Sequence, residues 1–251
     1  MRILLAEDNK INQKYAQALL EKRFHLTIAE NGVQAVDQMR RHDFDVVLMD
    51  IQMPVLDGVG ATQRIRALAA PQSRVPILAL TADAIAGAEE RYLAAGMDAY
   101  LAKPITPASL QTALARLAGR AREVETVAPL PAPSTAPSAL DSGVVAELRR
   151  IFSPVQLDAF LADALEDIPQ RIERLAAQLE AGDLAMAARE AHDLVSLIGN
   201  CGARAASALA RSVEQGCRAG DRQVATERYQ AFHVAAAAAL RELSALRQPV
   251  A

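Results

Sequence analysis

Cysteine is scarce in this 251-residue chain: Cys201 and Cys217 are the only two, and they stand well apart. That leaves no disulfide framework and no C-x-x-C metal pair, and both thiols read as small buried apolar side chains. Long apolar runs are missing as well. None approaches the roughly 20 residues that cross a bilayer. The start, MRILLAEDNK, runs from ILLA straight into two acids, too short for the core of a secretory leader. Nor is there an excess of positive charge. With 27 basic against 30 acidic residues the formal net charge is −3, which offers no electrostatic reason to expect nucleic acid. These absences describe a cytoplasmic protein without membrane insertion.

Apolar periodicity is absent from residues 123–140, EVETVAPLPAPSTAPSAL, where Pro129, Pro131, Pro133 and Pro137 fall among alanine, serine and threonine. Such text reads as an extended linker. Its flanks differ. Before it, short apolar β-type runs alternate with helical patterns; after it only alanine-rich helical text remains. All four lysines (Lys10, Lys14, Lys22 and Lys103) precede it, and the second part carries arginine alone. A chain of this length has room for two cores. The reading is a domain over 1–120, a linker over 121–140 and a second domain over 141–251.

In the first part five apolar runs recur: ILLA (3–6), LTIA (26–29), FDVVLMD (44–50), VPILALT (75–81) and AYLAK (99–103). Amphipathic segments at 12–23, 32–41, 57–68, 84–95 and 106–118 lie between and after them. Strands alternating with helices of this length predict an α/β fold whose parallel sheet is covered on both faces. Functional side chains then collect at the carboxyl ends of the strands. The first run ends in Glu7-Asp8, the third in Asp50, the fourth in Thr81 and the fifth in Lys103-Pro104. Folding would gather three carboxylates, a hydroxyl and an ammonium at one edge. Carboxylates about 4 Å apart repel by several kcal/mol per pair at an effective dielectric near 20. A hard dication such as Mg²⁺ relieves that repulsion, while Thr81 and Lys103 suit the oxygens of a transferred phosphoryl group.

The stretches AEDNKINQ, MDIQMPVLDG, PILALTADA and AGMDAYLAKP, all within residues 1–118, resemble the receiver domain of bacterial response regulators. The resemblance implies a flavodoxin-like fold of five parallel strands and five helices. It implies that Asp50 takes a phosphoryl group from a phosphohistidine to become an aspartyl phosphate. It further implies Mg²⁺ held directly by Asp8 and Asp50, by the backbone carbonyl of Gln52, and by Glu7 through water. Thr81 and Lys103 match the family's phosphoryl-binding pair. Tyr100 matches its switch aromatic, which turns inward on phosphorylation, and Lys103-Pro104 matches a cis-proline bond.

In the second part helical segments at 143–152, 154–181, 183–200, 202–219 and 221–247 are separated by Ser153-Pro154, Gly182-Asp183, a Gly199–Gly202 break and Gly220-Asp221. Ser153 with Pro154 is a helix start, and Gly182 and Gly220 suit helix ends. Long helices with short connections predict an all-α antiparallel bundle. On the third segment Leu184, Ala187, Ala188, Ala191, Leu194, Val195 and Ile198 form one apolar stripe, with His192 beside it. Around His192 stand Ala188, Arg189, Ser196 and Gly199, three of them small, which would let another protein's active site approach the ring. AHDLVSLIGNCGA resembles the histidine phosphotransfer (HPt) domain, in which a helical bundle carries a phosphoryl group on an exposed histidine. Ala191, His192, Leu194, Asn200, Gly202 and Ala203 align with that pattern. Leu194-Val195-Ser196 departs from it, standing where the family has Leu-Lys-Gly. Arg189, one turn before His192, is the cation best placed to serve for the missing lysine. His25, His42 and His233 read as ordinary surface residues.

Receiver plus HPt text implies a phosphorelay protein that moves a phosphoryl group between Asp50 and His192. Its partners would be an upstream sensor histidine kinase and a downstream response regulator. Nothing resembles an ATP-binding kinase domain, a DNA-reading helix-turn-helix or a cyclic-dinucleotide enzyme, so input and output lie on other proteins and ATP is not used. The alternatives are a docking module or a phosphate sink, each with a chemically inactive bundle. Met1 directly before the first strand favours a complete protein over the tail of a hybrid kinase.

Overall fold

In the computed structural model the chain divides into two compact units, residues 1–130 and 131–251. The structure describes residues 1–81, 88–117 and 138–247. The expected helix start at 84–87, the last residue of the 106–118 segment and residues 121–137 of the expected linker lie outside the described residues.

The first unit alternates β1 (Arg2–Ala6), α1 (Lys10–Leu20), β2 (His25–Ala29), α2 (Gly32–Arg41), β3 (Val46–Asp50), α3 (Gly58–Arg66), β4 (Ile77–Thr81), α4 (Ala88–Ala94), β5 (Ala99–Ala102) and α5 (Pro107–Leu117). Strand side chains alternate between two cores. Leu4, Ala6, Val47, Met49, Ile77 and Ala79 feed one; Ile3, Leu5, Val46, Leu48, Leu78 and Leu80 feed the other. Two covered faces explain why these strands are apolar at every position rather than at every second one. β4 starts two residues later than the VPILALT run because Pro76 has no N–H to give; its carbonyl still accepts from Val47 N at 2.9 Å. Three helices start on a side chain that accepts backbone N–H groups: Asn9 for α1, Asn31 for α2 and Asp57 for α3.

All five strands are parallel, in the order β2-β1-β3-β4-β5. The flavodoxin-like expectation holds. β1 is followed on one side by β2 and on the other by β3, so the order reverses there and leaves a crevice at the carboxyl ends of those two strands. Glu7 and Asp8 follow β1, and Asp50 ends β3.

The second unit is helical: α6 (Ser142–Ile151), α7 (Pro154–Ala181), α8 (Leu184–Asn200), α9 (Arg204–Arg218) and α10 (Arg222–Leu246). Consecutive helices from α7 onward pack on one another, and α10 packs back on α7, closing a four-helix bundle. Connections of two or three residues reverse the chain at each step. Ser153 forms a full capping box with Gln156, and Pro154 takes the first helical position. Gly182, at φ +77°, ends α7 in the left-handed region that favours glycine. α9 begins at Arg204, two residues after the expected start, because Gly202 takes φ +93°. The last residues of the expected linker are not extended away from the bundle. Glu242 of α10 accepts from Ser138 Oγ at 2.7 Å and from Ala139 N at 2.8 Å, and Leu140 is buried.

One close approach ties α3 to the crevice. A Cβ at Gly58 would lie 2.1 Å from the carbonyl oxygen of Asp50, a backbone atom that cannot give way cheaply. Gly58→Ala should therefore lower the urea midpoint of the first unit by the equivalent of about 1–3 kcal/mol, with the bundle's own transition unchanged. An unaltered midpoint would show that the β3–α3 turn absorbs the methyl group.

Candidate functional site

Glu7 and Asp50 at the crevice are each oriented by their own neighbours. α1 turns back over the end of β1, so Asn12 Nδ2 donates to Glu7 Oε1 at 2.9 Å and Gln13 Nε2 donates to the Glu7 carbonyl at 2.6 Å. Asp50 Oδ1 accepts from Gln52 N at 3.2 Å. Lys103 reaches in from the end of β5 and donates to Asp50 Oδ2 at 2.6 Å and to Glu7 Oε2 at 2.8 Å. The Lys103-Pro104 bond is cis, as the resemblance implied. Oxygen atoms of Glu7, Asp8 and Asp50 all lie within 4.8 Å of one another.

Glu7, Asp50 and Lys103 are all buried; Asp8 is half-buried. Burial alone would raise the Glu7 carboxyl and lower the Lys103 ammonium. Their mutual attraction outweighs it, so Glu7 is held below the usual carboxylate range and Lys103 above the usual ammonium range, the latter by Asp50 and then Glu7. These groups stay charged at neutral pH. One ammonium cannot neutralise three carboxylates, so the edge attracts a further cation.

Thr81 ends β4, one position beyond the Asp50–Leu80 pairing, and its hydroxyl lies 2.9 Å from that of Tyr92 in α4. Tyr100 is half-buried on β5, against the same core as Tyr92. Tyr92, Asn12 and Gln13 were not singled out by sequence reasoning. Helical spacing places Asn12 and Gln13 on the first turn of α1, beside the strand end; Tyr92 carries no comparable signal.

In the bundle His192 differs from expectation. The exposed ring beside the stripe is instead buried, at 3% exposure, and Nε2 has under 1 Å² of accessible surface. α8 is covered on two sides. Arg171 of α7 pairs with Glu190 and Asp193, and Arg174 with Glu190 at 2.9 Å, so polar positions flanking the stripe are covered too. On the other side Ser207 Oγ of α9 donates to the Val195 carbonyl at 2.7 Å. His192 Nδ1 lies 3.0 Å from Glu214 Oε1, and Arg218 Nη2 lies 2.6 Å from the same oxygen. Glu214 and Arg218 were missed. They belong to another helix, 22 and 26 residues on, and nothing in local spacing links them to His192.

Burial would raise the Glu214 carboxyl, but its bonds to His192 and then Arg218 hold it below the usual range. Ser196 is buried, and its Oγ makes no hydrogen bond among the described residues. Val195 and Gly199 are buried as well, whereas Arg189 is exposed. Cys201 is buried and its thiol is pushed up to about 12 by burial, so it offers no nucleophile at neutral pH.

The first unit thus has an acid cluster at the switch point of a doubly wound sheet, and the second is a bundle with a carboxylate-paired histidine. Residues 3–115 match the response regulator receiver domain family and residues 159–248 the Hpt domain family; the chain carries a receiver domain followed by an Hpt domain. Sensor protein GacS of Pseudomonas syringae pv. syringae is 36% identical over 201 residues, 78% of this chain and 22% of that protein. Signal transduction histidine-protein kinase BarA of Escherichia coli K12 is 43% identical over 117 residues, 46% of this chain and 13% of that protein. The receiver domain of a sensor histidine kinase from Pseudomonas aeruginosa PAO1, crystallised with magnesium in its active-site cleft, is 47% identical. It covers 47% of this chain and 97% of its own, with a TM-score of 0.44. The chain spans between 6 and 28% of the length of the curated relatives it matches. No helix among the described residues is long and apolar enough to cross a membrane.

The pairing in the bundle has a pH signature. A carboxyl held below its ordinary value of 4.5 stabilises the fold above that value and loses the contribution as pH falls through the lowered one. In Glu214→Gln the bundle's stability should therefore fall less steeply below pH 4.5 than in the wild type. Denaturant unfolding at pH 3 to 7 tests this, and parallel curves would contradict it.

Proposed function

We propose that the chain relays a phosphoryl group between Asp50, His192 and partner proteins, an upstream sensor histidine kinase and a downstream response regulator. The observation that carries this reading is the buried Asp50 carboxylate, bonded to Lys103 and ringed by Glu7 and Asp8 at the carboxyl edge of the sheet.

In the first step an Asp50 oxygen attacks the phosphorus of a partner's phosphohistidine. A P–O bond forms, the P–N bond breaks, and the imidazole leaves to take up a proton. Lys103, whose Nζ now rests on Asp50 Oδ2, moves its charge to a phosphoryl oxygen, and Thr81 donates its hydroxyl to another. In the second step His192 attacks the aspartyl phosphate, and the carboxylate is restored. The bond between Nδ1 and Glu214 assigns the ring proton to Nδ1 and leaves the Nε2 lone pair as nucleophile. Nε2 is covered, so the incoming receiver displaces what lies over it; Ser196 and Gly199 are the small neighbours on that approach. Tyr100 would act as the aromatic that turns inward once Asp50 is phosphorylated.

The acid cluster fits Mg²⁺. Two oxygens sharing one Mg²⁺ at about 2.1 Å lie roughly 3–4 Å apart, somewhat less than the 4.8 Å spread of the three carboxylates. Asp8 and Asp50 would be the direct ligands with the Gln52 carbonyl, and Glu7 would act through water. When bound, the ion would offset the charge of the phosphoryl oxygens.

The covered Nε2 favours a second reading, in which the bundle is a docking module and Asp50 alone is phosphorylated or drains phosphate by hydrolysis. Lability separates the two. Phosphorylated full-length protein should carry a base-labile fraction lost in Asp50→Asn and an acid-labile fraction lost in His192→Gln. Absence of acid-labile phosphate leaves the docking or sink reading; retained base-labile phosphate in Asp50→Asn overturns the role of Asp50.

The missing lysine yields another expectation. Arg189 is exposed one turn before His192 and, among the described residues, has no ion-pair partner, so it is the cation available to a phosphoryl group there. Exposed pairs contribute about 0.2–1 kcal/mol, so Arg189→Ala should slow transfer to His192 by up to about five-fold at low salt. Val195→Lys should not restore it, because Val195 is fully buried and a lysine there costs stability. Wild-type transfer in Arg189→Ala would remove Arg189 from the site.

A further inference from the structure

Thr81 has one proton to give and two lone pairs to receive. If that proton goes to Tyr92, Thr81 has none for a phosphoryl group on Asp50. If Tyr92 is the donor, the Thr81 hydroxyl is turned so that its proton points away from α4. The two oxygens lie 2.9 Å apart, and either could donate by distance alone.

Arg91 breaks the symmetry. Its guanidinium lies 5.3 Å from the centroid of the Tyr92 ring, and Nη2 lies 3.5 Å from the phenolic oxygen. A guanidinium can only donate, so it occupies acceptor capacity on that oxygen and leaves the phenolic hydrogen as the one to be donated to Thr81. Both hydroxyls are buried, at 2% for Thr81 and 1% for Tyr92, so water does not compete for the bond. The Lys103 backbone N–H donates to the Thr81 carbonyl at 2.7 Å, which fixes the main chain on which the hydroxyl turns.

We propose that Tyr92 is a positioning residue for phosphoryl binding: its hydroxyl donates to Thr81 Oγ1 and turns the Thr81 proton toward the phosphoryl group on Asp50. This rests on Asp50 being the phosphoryl acceptor and Thr81 its hydroxyl ligand. Tyr92 touches neither substrate nor metal, and acts only through Thr81. It also makes α4 sensitive to occupancy of the site, because the two share this bond.

The test uses the full-length chain with Mg²⁺ and beryllofluoride, a stable mimic of a carboxyl-bound phosphoryl group, followed by the ¹⁹F resonance of the bound form. Tyr92→Phe keeps the ring that fills the core and removes only the donor. Beryllofluoride affinity should fall about five-fold, the size of one net hydrogen bond, while Mg²⁺ affinity without beryllofluoride is unchanged. Thr81→Ala should also weaken binding, and adding Tyr92→Phe to it should have no further effect. If the ring substitution lowers the thermal midpoint, the same comparison separates the causes: lost packing weakens binding with or without the threonine, lost proton orientation only with it. Unchanged or tighter binding in Tyr92→Phe overturns the proposal, as does an equal five-fold loss in the Thr81→Ala background. If the wild-type chain takes up no beryllofluoride, the reading of Asp50 fails and takes this one with it, a result distinct from a wild type that binds and a Tyr92→Phe variant that binds equally.

Discussion

A buried ammonium shared between two buried carboxylates is the constraint around which the first domain is arranged. Lys103 sits 2.6 Å from Asp50 and 2.8 Å from Glu7, in a place where any of the three alone would pay heavily for desolvation. The contact joins the ends of β1, β3 and β5, three strands of one sheet, at the crevice that the strand order opens. It also places beside Asp50 the cation that a phosphoryl group there would claim. An ion pair of this kind is a weak source of stability. Its value is that it specifies where a charge sits until another charge arrives.

The bundle applies the same logic to a histidine. Glu214 is buried and takes its hydrogen bonds from His192 and Arg218, so a carboxylate that burial would protonate stays charged. A charged partner on Nδ1 draws the ring proton to that nitrogen and leaves the lone pair on Nε2. Arg218 lies on the same helix as Glu214, one turn further on, and is partly exposed at 33%. It keeps the carboxylate from acting as an isolated buried charge. The cost is access, since the ring that this network orders is also covered.

Much of the site was legible because strand ends are legible. Each apolar run in the first domain stops at a polar residue, and a parallel sheet places all such stops along one edge; Glu7, Asp8, Asp50 and Lys103 meet there for that reason, and Thr81 ends the strand beside Asp50. The helices of the bundle were equally readable, since Ser153-Pro154, Gly182 and Gly220 mark their ends by backbone chemistry alone. His192 was found by its surroundings, but its burial was misjudged. A single-helix projection sees one apolar stripe and cannot see that α7 and α9 cover its polar shoulders as well.

By itself the amino-acid order determined the two fold classes, the edge where the acids gather and the helix that carries the histidine, because periodicity and chain breaks are local properties. The partners of the functional groups were decided only by tertiary structure. Glu214 reaches His192 across two helices, Tyr92 reaches Thr81 from α4, and Lys103 chooses Glu7 together with Asp50 across nearly the whole first domain. Each choice depends on which side chains packing leaves without water. A buried polar group must find its hydrogen bond within the protein, and which group lies within 3 Å is settled by how helices and strands stack rather than by their spacing along the chain.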